Sequence, residues 1–560
     1  MNWGLKKIKN IGICMLLMMG GISSVWGQVA PEKYWIPFTD KNNSPYSVNA
    51  PLVFLSQKAI DRRNAQGIAI TSQDFPVNPS YIQGVQQAAN VNVLLQSRWL
   101  NGIIIQTTDT VGLAQIMALP YVDSANAESV ITEGGEVASV KMETAGMTYK
   151  AEDLETGGSE ALDYGISEHQ NTMIGVDYLH DLGFTGAGMT IAVLDAGFYG
   201  ADTTTALLPL FNNNQIMGTW DFVDGQTVDY TQHSGHGTGV LDCMGANIPG
   251  FYIGSAPDAN YWLIRTEDAP TENIIEEYNW VAGAEFADSV GADVVNTSLG
   301  YTTFDDPSKD HTYADLDGNT TVITRGADIA ASKGMLMVNS AGNSGASSWY
   351  YIGAPADGDS VLAIGAVSAN RVVTNFSSRG PSADGRVKPN VMAMGGGVPQ
   401  PIGDSDVQFI NGTSFSGPIL AGAAACLWQS RSSYNNMEIF HAIEESADKY
   451  LSPNDHYGYG IPNMGMAHYL ITDLEEVNKN QVSISGYPNP TNGYFYISSR
   501  NSKVQSVSIY DYIGHEVAQI NQPQIAGSTI ELDLSIYPNG VYMIRVQTDD
   551  GIQIVKVLKN

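Results

Sequence analysis

A serine with the surroundings of a nucleophile stands just ahead of a predicted buried helix. In the segment DVQFINGTSFSGPILAGAAACLW (residues 406–428), Gly412, Thr413 and Ser414 precede a run of small and apolar residues. Helix capping explains these residues without any chemistry, because Thr and Ser are common N-caps and Gly eases the turn into a helix. The same place suits a nucleophile, since the positive end of the helix dipole favours developing negative charge. A catalytic Ser414 would require a base, an acid to orient that base and a donor for the oxyanion.

Three other polar residues have the types that such a reaction requires. Asp195 ends the apolar run IAVLD, His236 begins the segment HGTGVLDCMGA, and Asn343 ends the segment MLMVNSAGN. Each has a structural explanation on its own, as a turn or helix-cap residue. In an open α/β sheet, however, groups just beyond the carboxyl ends of strands line the crevice where ligands bind. The four residues, each at a strand end or helix start of one domain, therefore indicate a shared site.

Residues 166–472 supply the elements that would bring these side chains together. Short, nearly continuous apolar runs such as TIAVLD, GADVVNTSLG and SVLAIGAVSA are typical of strands buried on both faces. Helical stretches separate them, for example at residues 274–290, 324–333 and 437–449. This alternation predicts an α/β domain in which helices cover a parallel sheet.

Different patterns flank this domain. Residues 28–135 mix strand-like and helical pieces and predict an α+β unit. Residues 480–560 alternate polar and apolar residues between Asn-Gly turns, which predicts a small antiparallel β-sandwich. Residues 136–165 lack a sustained apolar period and predict an exposed, cleavable linker. Residues 1–27 combine a basic start, a short apolar core and small residues at the end, a pattern typical of a secretory signal peptide.

Composition narrows the classes of function. Acidic residues outnumber basic ones 58 to 27 in the 560-residue chain, for a formal net charge of −31 at pH 7. Such a chain repels phosphate backbones, so we expect no nucleic-acid partner. Cys14 lies in the predicted signal peptide, which leaves Cys243 and Cys426 in the mature chain. Two widely separated cysteines predict buried thiols, with a single disulfide as the alternative if their helices touch.

The motifs around the four residues resemble those of the subtilisin-like serine peptidases, the subtilase family. They occur in the order Asp, His, Asn, Ser in VLDAGF, HGTG, NSAGN and NGTSFSGP. The resemblance spans about residues 170–465 and includes GSAPDA, NTSLG, FSSRGP, KPN and YGYGIPN. It implies the subtilisin-like α/β fold and a secreted serine endopeptidase that cleaves proteins through an acyl-enzyme.

The resemblance also implies a role for each residue. Ser414 would be the nucleophile, His236 the general base and Asp195 the group that orients the imidazole. Asn343 would donate a hydrogen bond to the oxyanion, together with the backbone N–H of Ser414. Two segments would bind the substrate peptide: Ser298, Leu299, Gly300, Ser340, Ala341 and Gly342.

Three residues depart from the family pattern. Ala196 replaces a hydroxyl residue that commonly follows the catalytic Asp, and Gly239 replaces a second histidine often found after HGT. Phe415 stands where methionine usually follows the nucleophile. None of the three removes a reacting group, so we expect an enzyme, with reduced activity as the alternative to full activity.

The flanking units carry resemblances of their own. Residues 28–135 resemble the propeptide of secreted subtilases, which assists folding and blocks the cleft until it is cleaved; a permanent extra domain is the alternative. The C-terminal unit resembles the sorting domain of the type IX secretion system through YPNPTNG, VSIYDYIGHEV, LSIYPNGVYMIRV and the basic end IVKVLKN. Its alternative is a carbohydrate- or protein-binding β-module. The expected partners are protein or peptide substrates, the propeptide as an intramolecular inhibitor, and the secretion machinery that exports the protein across the outer membrane.

One acidic loop raises the question of a metal. Residues 304–320 carry hard oxygen ligands that suit calcium: Asp305, Asp306, Asp315, Asp317 and Asn319. A solvated turn is the alternative, since Gly326 stands where the EF-hand pattern requires Glu. The reaction itself is expected to need no cofactor. Two other functions compete with the protease: a catalytically silent surface adhesin, and a metallohydrolase, which the absence of a His-Glu-x-x-His pattern disfavours.

Overall fold

The structure is a computed structural model, and it describes the following parts of the chain: residues 32–131, 143–150, 162–402, 406–472, 484–487, 489–499, 503–511, 515–521, 529–548 and 551–559. The predicted signal peptide and much of the predicted linker lie outside these residues. In the described parts, no helix has the length and apolar character needed to cross a bilayer.

The N-terminal unit is α+β, as the sequence predicts. Its helices and strands are β1 (Glu32–Pro37), α1 (Gln57–Ala65), α2 (Pro79–Ala88), β2 (Asn92–Ser97), β3 (Gly102–Thr107), α3 (Thr110–Met117) and β4 (Glu128–Ile131). The strands form an antiparallel sheet in the order β2-β3-β1-β4. Because side chains alternate across a strand, Ile103 and Ile105 pack on the helices of this unit, whereas Ile104 packs against the next domain.

The central domain is a predominantly parallel sheet covered by helices, which confirms the predicted α/β class. Its strands are β5 (Glu143–Lys150), β6 (Thr190–Asp195), β7 (Ile216–Asp221), β8 (Asn247–Ile248), β9 (Tyr252–Ile253), β10 (Asn260–Arg265), β11 (Val294–Thr297), β12 (Leu336–Ser340), β13 (Val361–Ser368), β14 (Val391–Ile402) and β15 (Asp406–Asn411). Its α-helices are α4 (Glu168–Thr172), α5 (Val176–Asp181), α6 (Leu208–Asn212), α7 (His236–Gly245), α8 (Ile275–Val290), α9 (Val322–Ser332), α10 (Thr413–Ser430), α11 (Asn436–Glu445) and α12 (Met464–Thr472).

The main sheet has the order β5-β15-β14-β13-β12-β11-β6-β10-β7. The strands from β14 to β7 are parallel, and β15 and β5 are antiparallel. Every residue of β6 is buried: Ile191 and Val193 face the core that contains α7 and α10, and Ala192 and Leu194 face the core that contains α8 and α9. Burial on both faces explains why this strand is continuously apolar.

Strand β5 lies inside the segment predicted as a linker. It pairs antiparallel with β15 at one end of the described sheet. The composition of this segment gives no strand signal, because backbone hydrogen bonds to a sheet edge can be made by almost any sequence. Residues 143–150 of the predicted linker therefore form a strand of the sheet. Cleavage of the segment stays a prediction.

The C-terminal unit consists of two antiparallel sheets, as the predicted β-sandwich requires. Its strands are β16 (Ile484–Tyr487), β17 (Tyr494–Ser499), β18 (Val504–Tyr510), β19 (Glu516–Asn521), β20 (Thr529–Asp533), β21 (Gly540–Thr548) and β22 (Gly551–Lys559). One sheet has the order β16-β17-β20 and the other β19-β18-β21-β22. Apolar side chains of both sheets, including Phe495 and Ile544, share one core.

The two cysteines of the central domain are free, buried thiols rather than a disulfide. The Cys426 thiol donates to the carbonyl oxygen of Ser255, and Cys243 accepts from the side-chain amide of Gln400. Burial raises the pKa of both thiols, so they stay protonated and unreactive.

One buried carboxylate connects the N-terminal unit to the central domain. Asp288 of α8 is fully buried and forms ion pairs with three arginines of the N-terminal unit: Arg62, Arg63 and Arg98. Nearby, Glu285 of the same helix accepts from the backbone N–H groups of Arg98 and Trp99. A buried charge with its partner removed is strongly destabilising, so the interface depends on these carboxylates.

The substitution Asp288→Asn should loosen this interface. We expect it to weaken docking by about 3–5 kcal/mol, because three buried arginines lose their shared counter-charge. Amide hydrogen exchange should show α1 losing protection while β6 keeps it. Asp61→Asn, on the exposed side of α1, is the matched control and should leave the protection of both α1 and β6 unchanged. Unchanged protection of α1 in the Asp288 variant would contradict this account of the interface.

Candidate active site

The four predicted catalytic residues lie where strands end or helices begin. Asp195 is the last residue of β6, and Asn343 follows three residues after the end of β12. His236 is the first residue of α7, and Ser414 is the second residue of α10. Strands β6 and β12 are parallel and both pair with β11, so their carboxyl ends lie at the same edge of the sheet. Residues far apart in the chain thus reach one region.

Asp195 and His236 form a buried hydrogen-bonded pair. Oδ1 of Asp195 accepts from Nδ1 of His236 at 2.8 Å, and Oδ2 lies 3.1 Å from the same nitrogen. Oδ1 also accepts from the backbone N–H of Ala196 at 2.8 Å. An ionised carboxylate can only accept, so Nδ1 carries the proton of the neutral imidazole and Nε2 is left as its basic nitrogen.

The surroundings of His236 favour its protonated form. Burial acts to lower the pKa of this imidazole, but the charge and hydrogen bond of Asp195 outweigh it, with a smaller contribution from the charge of Glu267. The pKa of His236 is therefore raised above the usual value of 6.5. The side chain takes up a proton more readily than an unperturbed histidine.

The hydroxyl of Ser414 makes its hydrogen bond to another residue. Its Oγ donates to the carbonyl oxygen of Ser298 at 3.4 Å, and the Ser298 hydroxyl donates to the carbonyl oxygen of Ser414 at 2.9 Å. The His236 ring lies beside Phe415, the next residue in the chain, with 5.9 Å between ring centroids. The structure thus brings Ser414 and His236 into one neighbourhood without a direct hydrogen bond between them. Catalytic hydrogen bonds often tighten only when substrate binds.

Asn343 is held with its amide nitrogen free to donate. Its Oδ1 accepts from the backbone N–H of Thr413 at 2.9 Å and from the Thr413 hydroxyl at 3.0 Å. Because a backbone N–H can only donate, the atom that faces it must be the oxygen, which turns Nδ2 away from Thr413. The Thr413 hydroxyl in turn accepts from the backbone N–H of Gly342 at 3.1 Å. Thr413 therefore fixes the orientation of the predicted oxyanion donor.

A cavity of about 170 Å³ is lined by both Ser414 and Asn343. Five of the six residues predicted to bind substrate also line it: Ser298, Leu299, Gly300, Ser340 and Gly342. Ala341 lies outside the wall, because it is fully buried and its N–H donates to the carbonyl oxygen of Ile364. Gly342 has φ +105°, and a Cβ there would lie 2.8 Å from Oγ of Ser378, so the wall requires a glycine at this position.

The remaining residues of the cavity wall were not among the predicted site residues: Glu267, Glu272, Thr302, Ser344, Gly353, Ser378 and Thr413. For Thr413 and Ser378 a signal existed, since they belong to the motifs NGTSFSGP and FSSRGP. The two glutamates lie in the polar segment RTEDAPTEN, which by pattern alone predicts only an exposed turn.

The three departures from the family pattern are accommodated. The backbone N–H of Ala196 supplies a hydrogen bond to Asp195 that does not depend on the side chain at this position. The side-chain amide of Gln400 donates to the carbonyl oxygen of Gly239, and a Cβ at Gly239 would lie 3.2 Å from Oε1 of Gln400. Phe415 is buried beside the imidazole.

The carboxylates of the predicted calcium loop make local turns. Asp306, Asp315 and Asp317 each accept from backbone N–H groups two or three residues away. Asp305 accepts from the backbone N–H of Glu272. Such bonds satisfy carboxylates in turns and at helix starts without a metal, so they support the alternative interpretation, and calcium binding stays a prediction.

One group of described residues has metal-ligand spacing: Asp221, Asp224 and His233. The guanidinium of Arg265 already lies among them, with Nη1 2.9 Å from a carboxylate oxygen of Asp221 and 3.1 Å from one of Asp224. The same nitrogen is 3.4 Å from Nε2 of His233. The arginine supplies the positive charge that these carboxylates need.

Replacement of Asp195 by Asn should lower the pKa of His236. Without the carboxylate, burial becomes the dominant influence and disfavours the imidazolium. An NMR titration of the ring protons of His236 measures this directly, with the midpoint above 6.5 in the wild type and at lower pH in the variant. Asp202→Asn, an exposed carboxylate on the same domain, is the control and should leave the midpoint unchanged. An unaltered midpoint in Asp195→Asn would contradict the assigned cause.

Sequence comparison matches all three units to known families. Residues 33–142 match the peptidase S8 propeptide domain of Bacteroidota, and residues 186–460 match the subtilase family. Residues 485–560 match a secretion system C-terminal sorting domain. The last match indicates export by type IX secretion, so the protein is secreted or carried on the cell surface.

Known subtilisins resemble the central part of the chain. Subtilisin E of Bacillus subtilis (strain 168) is 30% identical over 312 residues, which are 55% of this chain and 72% of that protein. A subtilisin of Bacillus pumilus is 30% identical over 312 residues, or 99% of its length. An alkaline protease of Alkalihalobacillus alcalophilus is 30% identical over 331 residues, which are 59% of this chain and 75% of that protein. By this identity and coverage, the chain belongs to the subtilase family of serine proteases.

Proposed function

We propose that the protein is a secreted serine endopeptidase that hydrolyses peptide bonds in proteins through an acyl-enzyme. One observation carries the proposal: the buried Asp195–His236 pair, Ser414 and the outward-turned amide of Asn343 converge at the same edge of one sheet. These groups are an oriented base, a nucleophile and an oxyanion donor, which is the set that acyl transfer by serine requires.

In the first half-reaction, the Ser414 hydroxyl turns from Ser298 to Nε2 of His236. The imidazole takes the proton while Oγ attacks the carbonyl carbon of the scissile bond, and Asp195 offsets the charge of the imidazolium. The oxyanion accepts from Nδ2 of Asn343 and from the backbone N–H of Ser414, one of the donors that the start of α10 leaves without a helical partner. Collapse of the intermediate breaks the C–N bond, and His236 gives its proton to the leaving amine.

The second half-reaction removes the acyl group from Ser414. A water molecule loses a proton to His236 and attacks the ester carbonyl, and the oxyanion uses the same two donors. Collapse releases the new carboxyl terminus, and His236 returns the proton to Ser414 Oγ. Every group in this scheme belongs to the chain, so the proposed reaction requires no cofactor.

The cavity wall suggests how the peptide would bind. We assign the acyl side of the substrate to residues 298–300 and 340–342, with the extended peptide adding as a strand beside the first segment. Backbone hydrogen bonds would then supply affinity, and the cavity would select the side chain. We further propose that residues 32–131, whose sheet packs on the central domain, act as the intramolecular inhibitor of this site.

Covalent labelling separates a working protease from a catalytically silent relative. A fluorophosphonate probe should label processed wild-type protein at Ser414 and block hydrolysis of protein substrates. Ser414→Ala should lose both labelling and hydrolysis, because the attacking oxygen is gone. Ser416→Ala, two residues further along the same helix, should keep both. Failure of the folded, processed wild type to be labelled would support the adhesin interpretation instead.

Substitutions of the oxyanion donor Asn343 and of Thr413, which orients it, should have non-additive effects on kcat. We expect Asn343→Ala to lower kcat by about 10²–10³ with little change in KM. Thr413→Val, which keeps the size of the side chain but removes the hydroxyl, should lower kcat by about tenfold, the value of one hydrogen bond. In the Asn343→Ala background the same Thr413 change should have almost no further effect. An equal loss in both backgrounds would show that Thr413 does not act through Asn343.

A further inference from the structure

The reaction cavity has an acidic wall, formed by Glu267 and Glu272. Both side chains line the cavity that Ser414 and Asn343 also line. A third glutamate, Glu276, is buried near them, since their charges act on it. The acidic wall thus brings several carboxylates together beside the reacting groups.

Other acidic residues of this region are neutralised, but these three are not. Glu277 pairs with His311, and Asp268 pairs with Arg265. Among the described residues, no lysine, arginine or histidine forms an ion pair with Glu267, Glu272 or Glu276. A single weak contact from the Tyr301 hydroxyl reaches Glu267 at 3.3 Å.

The three carboxylates are short of hydrogen-bond donors as well as of charge partners. Oε2 of Glu276 is buried without a hydrogen-bond partner, and the Thr271 hydroxyl lies 3.4 Å from its Oε1. Only 4% of Glu267 is exposed, so bulk water reaches it poorly. Buried acceptors in this condition gain from any donor that enters the cavity, and most of all from a cationic one.

Both residues of the acidic wall are held in place by their backbone. Glu267 follows two residues after β10, whose last residue, Arg265, is fixed by its ion pairs. The backbone N–H of Glu272 donates to the Asp305 carboxylate at 3.1 Å, and the backbone N–H of Asp305 donates to the carbonyl oxygen of Glu272 at 2.8 Å. Such positioned carboxylates can discriminate between side chains that differ in charge.

The burial and mutual repulsion of the carboxylates in the acidic wall disfavour their ionised forms. Burial, followed by the charge of Asp195, raises the pKa of Glu267 to about 7. Burial, followed by the charge of Glu267, raises the pKa of Glu272 to about 9. A lysine or arginine side chain in the cavity would reverse this effect, because an opposite charge favours the ionised carboxylates. A neutral or acidic side chain would add no counter-charge to the carboxylates.

We propose that Glu267 and Glu272 make the protease select peptides that carry a lysine or arginine on the acyl side of the scissile bond. This inference rests on the proposed function, because the acyl side is assigned through residues 298–300 and 340–342, which share the cavity with both glutamates. In this proposal the acidic wall determines which peptides are selected, and Ser414 and Asn343 carry out the reaction.

Matched peptides test this selection in the processed enzyme. Each pair differs at one of the four positions before the scissile bond, with lysine in one peptide and norleucine in the other. We expect kcat/KM of the wild type to favour lysine at one position at least by about tenfold. Glu267→Gln and Glu272→Gln should each lower this preference several-fold. Glu272→Lys should move the preference toward a peptide with glutamate at the same position. Glu445→Gln, an exposed carboxylate outside the cavity, is the control and should keep the wild-type preference.

Fluorophosphonate labelling of Ser414, measured on every variant, separates the possible failures. A labelled wild type that shows no preference for lysine would overturn the inference and leave the proposed function standing. A preference for lysine that persists in both Glu267→Gln and Glu272→Gln would also overturn the inference and leave the proposed function standing. A wild type that is neither labelled nor active would overturn the proposed function and the selection together. If Glu267→Gln does not fold, Glu272→Gln and Glu272→Lys decide, because Glu272 is only partly buried.

Discussion

The hydrogen bond between Asp195 and His236 is the interaction on which the site depends. A fully buried carboxylate is tolerated only when its charge and lone pairs are satisfied, and here the imidazole and the backbone N–H of Ala196 do so. The pair requires the end of β6 to approach the start of α7 closely. Gly237 permits this approach, since a Cβ there would lie 2.5 Å from the carbonyl oxygen of Gly197 and 3.0 Å from Cβ of Asp195. The local backbone geometry, the burial of the carboxylate and the raised pKa of His236 therefore depend on one another.

A second constraint is the helix that carries Ser414. Nearly all of α10 is buried, and its small residues let it run against neighbouring segments; a Cβ at Gly422 would lie 2.1 Å from Oγ of Ser255. A helix packed on all sides cannot shift, so its first turn holds Thr413 and Ser414 at a fixed place on the sheet edge. Gly412 just before it has φ +150°, a conformation that residues with a side chain rarely adopt. Core packing and the presentation of the proposed nucleophile therefore have the same cause.

Three sets of carboxylates in this acidic chain differ in how their negative charge is balanced. Asp195 is satisfied within the central domain by a single imidazole. Asp288 is satisfied by three arginines of the N-terminal unit, which makes this carboxylate a connection between two parts of the chain. The acidic wall of Glu267 and Glu272 forms no ion pair with a lysine, arginine or histidine of the described residues. The same physical rule, that a buried charge needs a partner, thus explains the Asp195–His236 pair of the candidate site, an interface and the proposed selection of cationic substrates.

Much of the fold and of the candidate site could be predicted from sequence, because both leave local signals. Continuous apolar runs predict doubly buried strands such as β6, and short motifs point to Asp195, His236, Asn343 and Ser414. Strand β5 could not be predicted, since it is defined by its pairing with β15 rather than by its own residues. The free state of the two cysteines, left open by the sequence, also depended on where α7 and α10 place them.

The amino-acid sequence by itself indicated the family, the order of the units and the residues proposed to react, because contiguous motifs carry each of them. Tertiary structure alone decided that Ser414 bonds to Ser298, that Thr413 orients Asn343, and that Ala341 lies outside the cavity wall. It also decided that two glutamates of a polar segment line the same cavity as Ser414. The physical reason is common to all of these: hydrogen bonds, burial and shared cavities arise between residues that are distant in the chain, and spacing along the chain does not encode them.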